Sequence, residues 1–332
     1  MPPEWAPHAS TWVAWPSHAA LWSDNLAPAR AAFAQLVAAV AEGETVEVLV
    51  PDEANERAAR AVLTSGRVRF HRVLFGDVWL RDTAPLFLQG PRGAGAAVRF
   101  AFNGWGGKFV LDDDDRVGER IAALAGVRSF VVPLVVEGGA VDIDGDGTVI
   151  TTRQCLLNPN RNPRATAVEV QRALSDALGC DKVLWLGEGL QNDHTDGHVD
   201  TIARFVSPGV VVVMEPRASD DPNRLALETV ARDLARFVDA RGRRLEVVRI
   251  PSPGRVTDPD GRIAPASYVN FYVSNAALIV PTYGSPFDDE AVGRLGDLFP
   301  SRRVVAIDAR AILTGGGAFH CITQQQPRWG QP

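Results

Sequence analysis

The sequence predicts an α/β fold assembled from five similar helix-to-strand units, and three observations point there. Five times along the 332 residues, an amphipathic segment of helical period gives way to a short run rich in β-branched residues. Further apolar runs of strand length lie between these units. Turn residues, rather than long linkers, separate them. A doubly wound parallel sheet is the competing arrangement. Against it, no glycine-rich nucleotide turn follows the first strand.

In order, residues 28–41 lead to a strand at 46–50, 116–125 to 130–133, and 166–178 to 183–186. Residues 223–240 lead to 245–250, and 288–299 to 304–307. Residues 52–63 form an extra helix inserted into the first unit. Strands at 98–102, 149–152, 210–214 and 277–280 fill the intervals, so each unit is a helix with several strands. Asp142-Ile143-Asp144-Gly145-Asp146-Gly147 reads as a hairpin turn. Residues 158–163 form a rigid loop before a helix, and 252–265 a long polar connection.

With 46% hydrophobic and 22% charged residues, the chain is long and apolar enough for a large core, in two domains or one closed one. A net charge of −6 argues against nucleic acid and anionic membranes and allows a cationic substrate. Three cysteines make a disulfide framework unlikely by count. Met1-Pro2-Pro3-Glu4-Trp5 lacks the basic and apolar regions of a signal peptide, so the chain reads as a soluble, cytoplasmic protein.

Four segments carry candidate chemistry. Cys321 follows Gly315-Gly316-Gly317, whose bare backbone lets main-chain groups approach the thiol. Burial, the commonest fate of a free cysteine, is the other reading; Cys155 and Cys180 read as structural. His198 and Asp200 share one face if 193–200 is extended, giving a proton shuttle beside a charge for a ligand. A solvated loop, or metal binding by His194 and His198, competes there. Asp77 to Pro85 alternates polar and apolar residues as a strand would. It sets Trp79 and Arg81 on one face and Asp82 on the other or at the strand end. An ordinary Arg–Asp pair explains it equally well. Glu137, before Gly138-Gly139, closes an apolar run and needs a partner if buried. Residues 142–153 fail as a calcium loop because Arg153 stands where glutamate is required. Residues 103–109 lack the full phosphate-binding pattern, and there is no Gly-x-Ser-x-Gly elbow.

Taken in order, several segments resemble the agmatine deiminase family. They include Thr11-Trp12-Val13-Ala14-Trp15-Pro16, Trp79-Leu80-Arg81-Asp82-Thr83 and Glu137-Gly138-Gly139. They continue through residues 155–163, Gly197-His198-Val199-Asp200, Ser267-Tyr268-Val269-Asn270-Phe271-Tyr272 and His320-Cys321-Ile322-Thr323-Gln324-Gln325-Gln326. The resemblance spans nearly the whole chain. It places the sequence in the guanidine-modifying superfamily, beside arginine and peptidylarginine deiminases.

The resemblance implies a pseudo-fivefold α/β propeller (a pentein) of five ββαβ modules, a single catalytic domain over residues 1–332. It implies Cys321 as nucleophile, His198 as acid/base, Glu137 orienting His198, and Asp82 and Asp200 gripping the guanidinium. Trp79 then belongs to the substrate pocket. No metal or cofactor is implied, and a homodimer is compatible with it. The implied reaction converts agmatine and water to N-carbamoylputrescine and ammonia. Arginine or peptidylarginine is the alternative substrate; a metal-dependent hydrolase and a non-catalytic guanidine-binding module are remoter readings. Ala84, residues 193–196 and Ala318-Phe319 depart from the family's usual pattern.

Overall fold

The computed structural model describes residues 1–330 and contains five separate sheets. Four of them repeat one order: an antiparallel hairpin, a crossover helix, then a third strand parallel to the second. Leu86–Gln89, Gly95–Ala101 and Arg128–Val135 form the first such unit, with helix Asp114–Leu124 as its crossover. Val141–Ile143, Thr148–Thr152 and Lys182–Leu186 follow, around helix Ala167–Leu178. Next come Ala203–Ser207, Val210–Glu215 and Glu246–Pro251, around helix Arg224–Leu234. Tyr272–Val273, Ala277–Thr282 and Arg303–Asp308 complete the series, around helix Asp288–Leu298.

The fifth sheet joins the two ends of the chain. Thr323–Pro327 pairs antiparallel with His8–Ala14, which runs parallel to Thr45–Val50 across helix Leu26–Val40. The inserted helix Glu53–Val62 then returns the chain to a fourth parallel strand, Val68–Arg72. The five helix-to-strand units expected from sequence are therefore all present, in separate three- or four-stranded sheets rather than one doubly wound sheet.

In the last two hairpin units the central strand is deeply buried, as expected where both faces are covered. Val211, Val212 and Val213 are fully buried, as are Leu278, Ile279 and Val280. Helices present one apolar stripe to the sheets; Val170, Leu174 and Leu178 are the buried residues of helix Ala167–Leu178. Thr166 caps that helix reciprocally with Glu169, and Gly179 ends it in the left-handed conformation at φ 68°. The hairpin at residues 142–147 forms because Asp144 accepts the backbone N–H groups of Asp146 and Thr148, each at 2.8 Å.

Three local expectations are corrected. The helix expected over 223–240 stops at Leu234; the Asp239 carboxylate collects the N–H groups of Arg241 and Arg243 into a turn instead. Asp77 to Pro85 is not a strand. Leu80–Thr83 is one helical turn, held where the Arg81 N–H donates to the Cys321 carbonyl at 3.1 Å. Residues 198–200 are not extended either, because Val199–Thr201 is a 3-10 turn.

Candidate active site

Three chain segments meet at Gly139. A Cβ placed there would stand 2.6 Å from His198 Nδ1, 2.9 Å from Asp82 Oδ1 and 3.0 Å from Asp200 Oδ2. Only glycine leaves that space to the three side chains. Its own N–H donates to Asp82 Oδ1 at 2.9 Å, so this glycine of the 3-10 turn Gly138–Ala140 both vacates room and fixes a carboxylate.

Cys321 sits at the end of the glycine run, 5% exposed, with its sulfur 3.6 Å from Asp200 Oδ2. The glycines are needed for close approach: a Cβ on Gly317 would lie 2.9 Å from the sulfur and 2.8 Å from the Trp79 ring. Asn270 holds this loop. Its Nδ2 donates to the sulfur at 3.1 Å, and its Oδ1 accepts the N–H groups of Ala318 at 3.1 Å and Cys321 at 3.3 Å. Burial, then the carboxylates of Asp200 and Asp82, push the thiol well above its ordinary range.

His198 is fully buried, with Nδ1 3.7 Å from Asp82 Oδ1 and Nε2 3.8 Å from Glu137 Oε2. Neither ring nitrogen has a hydrogen-bond partner among the described residues. Burial alone would lower the imidazole; Asp82, Cys155 and Glu137 outweigh it and raise the ring well above its usual value. Glu137, also fully buried, accepts from Arg161 Nε at 2.6 Å. Burial would raise its carboxyl, but His198 and Arg161 bring it below the ordinary value. Arg161 comes from the loop before helix Ala167–Leu178 and also binds Asp196 Oδ2 at 2.7 Å.

The two aspartates differ in state. Asp82 accepts from Trp105 Nε1 at 2.8 Å, yet burial raises its carboxyl above the ordinary value, with Asp200 and Glu137 adding to the rise against His198. Asp200 Oδ2 faces His320 Nδ1 at 2.6 Å, and Oδ1 is buried without a partner. Burial again pushes upward there, but His320 and His198 prevail and hold Asp200 below the ordinary value. Behind His320, Nε2 faces Glu4 Oε2 at 2.9 Å, and Glu4 binds Arg81 at 3.1 Å and Arg204 at 2.9 Å. The N-terminal segment thus braces a carboxylate nearly two hundred residues away.

A cavity of about 200 Å³ opens over Cys321 and Asp82. Trp22, Trp79, Trp105 and Phe109 form much of its wall, and among the described residues no Arg or Lys lines it. Trp22 and Trp79 stack at 6.1 Å and both donate to Asp77, each at 2.9 Å. All six residues expected from sequence come to this one region. Trp79, Asp82 and Cys321 line the cavity; His198, Glu137 and Asp200 lie buried behind it. His194 is exposed at the cavity wall and takes no part in the cluster that His198 joins. Sequence reasoning gave no role to Asn270, Arg161, Trp105 or the His320–Glu4 brace, although Arg161, Asn270 and His320 lie in the segments that carry the family resemblance.

The sequence pattern of the Porphyromonas-type peptidyl-arginine deiminase family matches residues 1–327. The chain belongs to this family. An agmatine deiminase of Stutzerimonas stutzeri is 41% identical, covering 98% of this chain and 95% of its own length. The agmatine deiminase of Enterococcus faecalis, solved catalysing its reaction, superposes with a TM-score of 0.93 at 32% identity, over 99% of this chain and 95% of that one. A C. jejuni agmatine deiminase with substrate bound gives 0.91 at 26% identity, over 99% and 96% of the two chains. The chain therefore shares the mixed α/β fold of agmatine deiminases along its whole matched length.

Proposed function

We propose that this protein is an agmatine deiminase, converting agmatine and water to N-carbamoylputrescine and ammonia through an amidino adduct on Cys321. The reading rests on one observation: a thiol, two carboxylates and a His–Glu pair converge at an indole-walled cavity. Relatives named agmatine deiminases at about 40% identity over the full length support the same substrate.

Asp82 and Asp200 fork onto the guanidinium N–H groups and bring its carbon to the Cys321 sulfur. The bound cation offsets the two carboxylates that keep the thiol protonated, so the proton leaves as substrate arrives. The thiolate adds to the carbon. His198, protonated at neutral pH because its pKa is raised, gives its proton to the departing ammonia. An S-alkylthiouronium remains on Cys321. The now neutral His198 takes a proton from water as its oxygen adds to the same carbon; collapse expels the Cys321 sulfur, which takes the remaining hydroxyl proton as the neutral ureido product leaves. Glu137, fixed by Arg161, keeps His198 charged and oriented. Atoms and charges balance without a metal or cofactor.

The family's description favours arginine or peptidylarginine as the second reading. Those substrates carry a carboxylate or a peptide beyond the guanidinium, which a wall without Arg or Lys leaves uncompensated. The indole faces of Trp22 and Trp79 suit the far ammonium of agmatine. Ammonia release measured over agmatine, arginine and arginyl peptides tests the choice; a kcat/KM for arginine above that for agmatine would overturn it. We further infer that the five ββαβ units stand around a pseudo-fivefold axis as a pentein propeller. We read them as one catalytic domain over residues 1–332, working in the cytoplasm alone or as a homodimer.

A further inference from the structure

Cys155 has no task in this reaction, yet it is fully buried against the two residues that run its proton transfers. Its sulfur lies 3.9 Å from Glu137 Oε2, and that oxygen lies 3.8 Å from His198 Nε2. Ligand atoms of Glu137, Cys155 and His198 all fall within 4.8 Å of one another. The unpartnered ring nitrogens of His198 add a second sign, since buried polar atoms normally find a partner. We propose that Glu137, Cys155 and His198 form a binding site for a thiophilic divalent cation such as Zn²⁺, and that its occupation shuts the enzyme off.

The donor set fits such an ion. Tetrahedral zinc with bonds of about 2.0–2.3 Å holds neighbouring donors roughly 3.3–3.7 Å apart, so the edges from Glu137 to Cys155 and to His198 close on it by a few tenths of an ångström, and the third edge starts within 4.8 Å. A thiolate and an imidazole select zinc over magnesium or calcium. Arg161 occupies Glu137 Oε1 at 2.6 Å, which leaves Oε2 turned toward the trio. Asp82 Oδ1, 3.7 Å from Nδ1, is placed to take the remaining N–H of a metal-bound imidazole. Binding releases the Cys155 proton. Binding follows from this arrangement alone. The loss of activity rests on the acid/base role proposed for His198, because a metal on Nε2 leaves a neutral imidazole whose remaining Nδ1–H is not given up at neutral pH.

The test must separate Cys155 from the rival thiol at the cavity floor, Cys321. Cd²⁺ is titrated into Cys321→Ala while thiolate-to-metal ultraviolet absorption is followed. One equivalent is expected to develop the band, and the Cys155→Ala/Cys321→Ala double variant to lose it. With Cys321 intact, Zn²⁺ should inhibit turnover and a chelator restore it. Cys155→Ala, or Cys155→Val if alanine disturbs the fold, should need about tenfold more Zn²⁺ or higher for the same inhibition. A band lost on removing Cys321 alone, or equal inhibition with and without Cys155, overturns the site. Cd²⁺ held at Cys155 with undiminished turnover overturns instead the role given to His198.

Discussion

Asp200→Asn should free the Cys321 thiol to ionise at lower pH while crippling turnover, an opposition that few other changes would produce. Asp200 Oδ2 stands 3.6 Å from the sulfur. Two unit charges at that distance interact by about 5 kcal/mol at an effective dielectric of about 20, and about 1.4 kcal/mol corresponds to one pH unit. His320 Nδ1, 2.6 Å from the same oxygen, offsets part of the field. The expected fall in the thiol's titration is therefore roughly one to three pH units. The sign follows from the cause: an anion beside a thiol raises its pKa, and removing the anion lowers it. The assay is iodoacetamide alkylation against pH, read by mass spectrometry on the peptide containing Cys321. The variant should alkylate faster at neutral pH and deiminate agmatine at least about a hundredfold more slowly, having lost one arm of the guanidinium clamp. An unchanged alkylation profile would refute the claim that Asp200 holds the thiol protonated in the empty site.

Three further outcomes are expected. Glu137→Gln removes one of the two carboxylates that hold the buried Arg161 guanidinium, Asp196 remaining, which should cost about 1–3 kcal/mol in urea unfolding. It should also move the alkaline limb of kcat to lower pH as His198 loses support; an unmoved limb would deny Glu137 that role. Asp114 titrates at about 7, instead of its ordinary 3.8, chiefly because it is buried. A carboxyl raised by folding gives stability that is complete below about pH 4 and lost as pH rises through about 7. Asp114→Asn should therefore gain on the wild type by up to about 4 kcal/mol between pH 4 and pH 8. Equal differences at both ends would contradict this. Gly317→Ala presses a methyl between Trp79 and the Cys321 sulfur, so kcat/KM should fall about tenfold or more with little change in unfolding midpoint. Wild-type kinetics in that variant would show that the loop yields freely.

The repeated units were legible because each crossover helix and its following strand carry opposite periods over enough residues to register. The second strand of each hairpin was legible as an apolar run, but the first strands were not. Leu86–Gln89 and Tyr272–Val273 are too short to show a period. Thr323–Pro327 is a run of polar side chains whose burial comes only from pairing with the N-terminal strand. Asp77 to Thr83 alternates like a strand, but the hydrogen bond from Arg81 N to Cys321 O, between residues 240 positions apart, decides for a helical turn. The candidate site residues could be named from motifs, since thiol, imidazole and carboxylates are chemically conspicuous. Their supports could not. Arg161 finds Glu137 across 24 residues, Asn270 finds Cys321 across 51, and Glu4 joins Arg81 and Arg204 in a buried cluster that no local pattern announces. The run-on of the helix at 223–240 failed for a like reason, because Asp239 gathers backbone N–H groups that lie beyond it.

The covalent route is tested most directly by acid-quenching the enzyme during turnover of agmatine and weighing its peptides. The peptide bearing Cys321 should gain the mass of agmatine less ammonia, and Cys321→Ala should bind agmatine yet release no ammonia. Ammonia release by Cys321→Ala, or the same mass gain on Cys155 instead, would contradict the account.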